Sequence, residues 1–278
     1  MKTSKKIVAL ICALALAAFM PMLAGCGGGS SSSGNESTSG TGSTETTDAG
    51  KATDGKVYVI ATDTTFAPFE FTDASGNLVG IDIEILDAIA KDQGFEYTIN
   101  SVGFDAALQA VTSGQADGVI AGMSITDARK EIFDFSAPYF DSGVVMGIAA
   151  SNQDIKGYED LAGKKVAVKM GTEGQAFAEG IMAEYGFETV AFEDSAMMYE
   201  DVMAGNTVAL FEDYPVLGYA ISQGVELKMV TDMERGSSYG FAVAKGMNPE
   251  LLAAFDAGLV NIKADGTYQE ILDKYIKK

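Results

Sequence analysis

The chain has 278 residues, 47% of them apolar and 21% charged, the composition of a soluble globular protein with room for one large domain or two modest ones. A net charge of −20 excludes a nucleic-acid binder, since phosphate recognition needs a basic footprint. The absence of histidine removes the commonest general base, serine triads and histidine metal sites.

Residues 1–25 read as a targeting segment. Lys2, Lys5 and Lys6 precede the apolar run "IVALICALALAAFMPML", which closes on "LAGC" at Cys26. This is the pattern of a bacterial lipoprotein signal, with cleavage before Cys26 and lipid on its sulfur. Pro21 and the abrupt change to Gly/Ser argue against a membrane-spanning helix. Cys12 would leave with the signal, so the mature chain has no cysteine for a disulfide, a thiolate nucleophile or a metal site. Residues 26–55 are Gly/Ser/Thr-rich and read as a flexible tether of about 30 Å reach. These features predict an extracytoplasmic protein, lipid-anchored at the outer face of the cytoplasmic membrane or in the periplasm.

From residue 56 onward, β-branched runs alternate with helical patterns. "VYVIAT" (57–62) reads as a buried strand. "IDIEILDAIAKDQG" (81–94) places Ile81, Ile85, Leu86 and Ile89 on one stripe and stops at Gly94. "FEYTIN", the helix "FDAALQAVTSGQ" and the strand "DGVIAG" (117–122) follow. After Pro138 a second series begins. "VVMGIAA", "KVAVKM" (165–170), "ETVAF", "TVALFE" (207–212) and "ELKMV" read as strands, separated by the helices "EGQAFAEGIMAEYG", "DSAMMYEDVMAGN" and "YPVLGYAISQG". "SYGFAVAK" reads as one strand, and helices over Pro249–Ala264 and Thr267–Ile276 close the chain. The alternation predicts parallel α/β sheets in two similar lobes.

Open α/β sheets bind ligands beyond the carboxyl ends of their strands. Asp63 and Phe66 follow the first strand, and Ser124, Thr126 and Arg129 follow "DGVIAG". Thr172 and Glu173 follow "KVAVKM", while Glu212 and Asp213 end "TVALFE". Taken alone, Arg129 could pair with Asp127 or Glu131 on the surface. Asp213 could cap the helix starting at Tyr214–Pro215, and Phe66 and Phe104 could be plain core residues. "GTEGQ" lacks the spacing of a phosphate loop.

Five stretches together resemble a known family: "ATDTTFAPFEF" (61–71), "GIDIEI" (80–85), "SITDARKEIFDFSAPYF" (124–140), "KVAVKMGTEGQAF" (165–177) and "DGTYQEILDKY" (265–275). In this order they are similar to the polar amino-acid-binding proteins of ABC importers, over the whole chain from residue 56. The resemblance implies the two-lobe, type II periplasmic-binding-protein fold, with a ligand cleft between lobes. Lobe 1 would be 55–138 plus 239–278 and lobe 2 would be 144–233. Hinge crossings are expected near Tyr139–Gly143 and Glu234–Ser238, and a monomer that delivers its ligand to a membrane permease.

The same resemblance implies the roles. Arg129 would grip the ligand α-carboxylate through two parallel hydrogen bonds, with Thr172 adding donors at a helix start. Asp213 would hold the α-ammonium, with Ser124 and the Gly122 carbonyl completing the cage. Phe66 and Phe104 would sandwich the aliphatic stem. Arg129 and Asp213 would come from opposite lobes, so that a zwitterion bridges them and drives closure.

The side-chain end would be read by Asp63, Lys169 and Glu212. An acceptor and a donor together suit a carboxamide, so glutamine is favoured. If Glu173 or Glu212 neutralises Lys169 instead, Asp63 is free for arginine or lysine. Two further classes remain on this fold: a dehydratase-like enzyme using carboxylates such as Glu173 and Glu212, and a sensor domain. Neither a cofactor fingerprint nor a metal motif is expected.

Overall fold

The computed structural model describes residues 55–276. The expected signal segment, Cys26 and the tether lie outside the described residues.

In the first half, β1 (Val57–Thr62) leads into a small antiparallel sheet of β2 (Thr65–Phe66), β3 (Glu70–Thr72) and β4 (Leu78–Val79). Then come α1 (Ile81–Gln93), β5 (Glu96–Ser101), α2 (Phe104–Thr112), β6 (Gly118–Val119), the single turn α3 (Asp127–Lys130) and β7 (Phe133–Phe135). The long strand β8 (Phe140–Ala149) opens the second half. A 3-10 turn (Tyr158–Leu161) precedes β9 (Lys165–Lys169), α4 (Glu173–Tyr185), β10 (Glu188–Phe192) and α5 (Ser195–Met203). β11 (Ala209–Asp213), α6 (Tyr214–Ser222) and β12 (Leu227–Met229) complete it. β13 (Glu234–Tyr239), β14 (Ala242–Ala244), α7 (Pro249–Ala264) and α8 (Thr267–Tyr275) return the chain to the first half.

Besides the small β2-β3-β4 sheet, two large sheets form, one per lobe. The lobe 1 sheet runs β5-β1-β6-β14-β7, and the lobe 2 sheet runs β10-β9-β11-β8-β12 with β13 added against β8. Each sheet is covered on both faces, which is why its strands read as continuous apolar runs. In lobe 1 the stripe Ile81, Ile85, Leu86 and Ile89 of α1 packs with Leu251, Phe255 and Leu259 of α7, while Ala107, Ala110 and Val111 of α2 cover the other face. In lobe 2, Phe177 and Ala178 of α4 pack on Val166, Val168 and Phe211. Met198 and Val202 of α5 and Leu217 of α6 pack opposite them, on Ala167 and Leu210.

The sheets are mixed, where a parallel arrangement was expected. β1 pairs in parallel with β5 and β6, and β9 with β10 and β11. The strands that carry the chain between lobes run antiparallel, β8 to β11 and β14 to β6 and β7. "SYGFAVAK" is not one strand. It breaks at Gly240–Phe241, so that Tyr239 belongs to the lobe 2 sheet and Ala242 to the lobe 1 sheet.

The two crossings lie side by side. Phe140 pairs with Tyr239, Asp141 with Ser238 and Ser142 with Ser237. The loop after β6 joins the same ribbon, since Ser124 bridges Tyr239 and Ile125 N–H donates to Ser238 O at 2.8 Å. Among the described residues no helix is long and apolar enough to cross a membrane.

Candidate functional site

One small cavity lies between the strand ends of the two sheets. It is lined by Phe66, Phe104, Gly122, Ser124 and Arg129 from lobe 1 and by Lys169, Thr172, Glu173 and Asp213 from lobe 2. Nine of the eleven expected ligand-binding residues therefore meet at one place. Asp63 and Glu212 are buried behind its wall.

Arg129 reaches the cavity because of local chemistry. Thr126 caps α3, its hydroxyl accepting from Arg129 N–H at 3.3 Å, which fixes the turn that aims the side chain inward. The guanidinium donates to Ser124 O at 2.8 Å and, across the cleft, to Gly171 O at 2.9 Å. It lies 5.3 Å from the Phe104 ring centroid and 3.9 Å from a Glu173 carboxylate oxygen. Burial draws the guanidinium below its ordinary value, opposed by Glu173 and Asp213. The surface-pair reading does not hold: Asp127 pairs with Lys130 instead.

Gly171 and Gly122 shape the walls. Gly171 has φ +75°, a left-handed conformation that only glycine adopts at little cost, and this turns its carbonyl toward Arg129. Gly122 has φ +53°, and a Cβ there would sit 2.4 Å from the Phe66 ring. The Phe66 ring is thus packed against bare backbone at Gly122. Phe66 and Phe104 are both core members and lining residues.

Thr172 caps α4. Its hydroxyl accepts from Gln175 N–H at 3.3 Å and donates to Lys169 O at 2.8 Å, while Gln175 Oε1 takes Gly171 N–H at 2.8 Å. The hydroxyl hydrogen is already used. The Thr172 N–H donates to Lys169 O at 3.4 Å, so what this end of α4 leaves for an anion is the first-turn N–H groups that follow it.

Asp213 sits at the N-cap position of α6, yet its side chain makes no capping hydrogen bond. The carboxylate instead accepts from Tyr239 Oη at 2.5 Å, with Ser142 Oγ at 3.4 Å from the same oxygen. Burial, reinforced by neighbouring Glu212, pushes this carboxyl up to about 7, against the pull of Tyr239 and Arg129. Ser124 is buried, its hydroxyl 3.1 Å from that of Ser237.

The expected side-chain readers are paired with the protein itself. Lys169 is ion-paired with Asp63 and donates to Thr65 Oγ1 at 3.2 Å, with its Nζ 5.1 Å from the Phe66 ring centroid. Glu212 accepts from Tyr199 Oη at 3.0 Å, Ser195 Oγ at 3.2 Å and Asp213 N–H at 3.0 Å. So Asp63, rather than Glu173 or Glu212, neutralises Lys169. Glu173 and Glu212 face different partners, Arg129 for the one and Tyr199 and Ser195 for the other.

Sequence reasoning missed Tyr239, Ser142, Thr65 and the carbonyl of Gly171. It also missed a buried acid cluster under the floor. Asp82 Oδ2 accepts Gly122 N–H and Tyr139 Oη, both at 2.7 Å. Its other oxygen and both oxygens of fully buried Glu70 have no further partner. Burial, with Asp82 next to it, drives Glu70 well above the ordinary carboxylate range, and burial lifts Asp82 to about 6. Burial and the neighbouring carboxylate thus both favour the neutral form of Glu70. Asp82 carried a misleading signal, since an acidic residue in the first turn of a helix ordinarily faces solvent.

The model of the bacterial extracellular solute-binding proteins, family 3, matches residues 58–278. The arginine-binding periplasmic protein of Mannheimia haemolytica is 32% identical over 222 residues, covering 78% of this chain and 90% of the relative. A structure described as an ancestral arginine-binding protein bound to glutamine superposes with a TM-score of 0.74 at 37% identity, over 80% of this chain and 98% of its own. The second substrate-binding domain of Lactococcus lactis GlnP, described as in open conformation, gives 0.56 at 43% identity, over 82% and 99%.

Proposed function

The chain belongs to the bacterial extracellular solute-binding proteins, family 3, and from that premise we propose that it captures a polar L-amino acid between its lobes and hands it to an ABC importer permease, with glutamine favoured. The observation that carries this reading is the pair Arg129 and Asp213. Arg129 comes from α3 of lobe 1 and Asp213 from β11 of lobe 2; the Arg129 side chain is 11% exposed, Asp213 is buried, and both line one small cavity. A zwitterion completes both: its carboxylate takes Arg129 and the α4 N-terminus, and its ammonium takes Asp213, Ser124 and the Gly122 carbonyl. Phe66 and Phe104 flank the stem. Closure follows because each lobe satisfies only one end of the ligand. Superposition is better on the structure described as glutamine-bound, TM-score 0.74, than on the one described as open, 0.56, despite the lower identity of the former, which supports a closed arrangement.

The Asp63–Lys169 pair makes the far end of the cavity neutral overall. Lys169 has three donors, of which Asp63 and Thr65 take two. The third suits a side-chain carbonyl. A carboxamide fits this end, whereas a cationic side chain must draw Asp63 away from Lys169. A basic amino acid is the second reading. It is favoured by the arginine-binding relative and by Glu173, whose carboxylate meets Arg129 only at 3.9 Å. A lipid anchor at Cys26, an extracytoplasmic location, a monomeric state and binding without chemical conversion belong to the same proposal.

Titration calorimetry with glutamine and with arginine separates the readings. Tighter glutamine binding is expected; tighter arginine binding would overturn the ligand assignment and keep the class. Unchanged ligand with time, read by mass spectrometry, excludes turnover.

A further inference from the structure

Tyr239 links the Asp213 carboxylate to the crossing strands. It is fully buried at the end of β13, the returning crossing. Its ring is wedged among Phe69 at 4.9 Å, Phe140 at 6.1 Å and Tyr139 at 6.2 Å between centroids, so it has one position. Its hydroxyl donates to Asp213 Oδ2 and lies 3.0 Å from Ser142 Oγ. Ser142 is on β8, the outgoing crossing, directly paired in register with Ser237. The expected ammonium anchor is thus hydrogen-bonded to both strands that join the lobes.

We infer that Tyr239 is the positioning residue for the Asp213 carboxylate: its hydroxyl, held on the hinge ribbon with Ser142, fixes the orientation in which Asp213 offers Oδ1 to a ligand ammonium. The arrangement does two things. It engages one carboxylate oxygen so that the other is presented in one direction. It also stabilises the charged form, since a hydroxyl donor favours the carboxylate over the acid. That second effect is needed here. Glu212 on the same strand and Glu173 on α4 oppose the charge of Asp213, while Arg129 on α3 supports it. With its carboxyl already lifted to about 7, losing the donor shifts Asp213 further toward its neutral form at neutral pH. A neutral carboxyl is a poor partner for an ammonium. The hydrogen bond also makes the hinge ribbon sensitive to the anchor, because moving Asp213 relative to the ribbon breaks it. The inference rests on the amino-acid reading only for the identity of the cation.

The test is Tyr239→Phe, which keeps the wedged ring and removes only the hydroxyl. Affinity for glutamine is measured by calorimetry from pH 5.5 to 8.5 in both proteins. The wild type is expected to lose affinity as pH falls through about 7. In Tyr239→Phe the midpoint should rise by about one unit, giving roughly fivefold weaker binding at pH 7 that recovers at pH 8.5. Ser142→Ala should shift it in the same direction by less. Equal weakening at every pH would mark a merely structural role and overturn the inference, as would an unchanged profile. Carbon-13 NMR titration of the aspartate carboxyls is read in parallel without ligand. A raised Asp213 midpoint in Tyr239→Phe supports the inference even if the wild type binds no amino acid, a result that would sink only the amino-acid reading.

Discussion

Asp63 and Lys169 are ion-paired across the cleft, one following β1 of lobe 1 and the other ending β9 of lobe 2, with side chains 2% and 1% exposed. Two residues 106 positions apart thus join the lobes directly, beside the cavity where Arg129 and Asp213 face each other. A buried pair that loses one member leaves an uncompensated charge, which costs about 3–5 kcal/mol in a closed interior. Here the stranded charge has an escape, since parting the lobes returns it to water. Lys169→Met is therefore expected to shift the protein toward an open form, seen as a larger radius of gyration by small-angle scattering. The double variant Asp63→Asn/Lys169→Met should close again. An unchanged radius in Lys169→Met would contradict the role of the pair.

Arg129→Met should abolish ligand-induced stabilisation while the far-ultraviolet circular dichroism stays native. Ser124 O and Gly171 O lose their donors, at about 1–3 kcal/mol for each group left buried and unpaired. The free protein should thus melt a few degrees lower. Ligand stabilisation that survived would remove the carboxylate role.

The site was legible in the sequence where it depends on strand ends. Apolar β-branched runs locate the strands, so Asp63, Arg129, Glu173 and Asp213 fall at their carboxyl ends without further information. α7 starts and stops where Pro249 and its pattern indicate. What the sequence hides is pairing at long range. Lys169 reads as a donor for the ligand until Asp63 is found beside it. Tyr239 sits inside what reads as one strand, because only the sheets reveal that the chain changes lobe at Gly240–Phe241. The hairpin strands β2, β3 and β4 are too short to show a period.

Glu70→Gln tests the buried acid pair. Burial and Asp82 raise the folded-state value of Glu70 well above the ordinary one, with Asp63 adding to this and Lys169 opposing it. The folded protein therefore holds a proton that the unfolded chain releases above about pH 4.5. The stability this group contributes is complete below that pH and declines as pH rises. Glutamine has nearly the same shape and does not titrate. Melting temperatures of Glu70→Gln should match the wild type near pH 4 and exceed it increasingly toward pH 8. A difference independent of pH would show that Glu70 is not the proton carrier.

Gly122→Ala should damage both stability and binding. The added methyl group meets the Phe66 ring at 2.4 Å and the backbone is left-handed there. Overpacking and strain of this kind cost about 1–3 kcal/mol. Displacing Phe66 should also weaken ligand affinity, measured by calorimetry; unchanged affinity would remove Phe66 from the cavity wall in solution.

The most direct measurement of the central claim is thermal unfolding of the purified protein with each of the twenty L-amino acids in turn. At a hundredfold excess over the dissociation constant, binding adds about 2.7 kcal/mol, a rise of several degrees for a domain of this size. A neutral polar amino acid, glutamine first, should give the largest rise, and Arg129→Met should give none. No shift with any of the twenty would contradict the zwitterion clamp between Arg129 and Asp213.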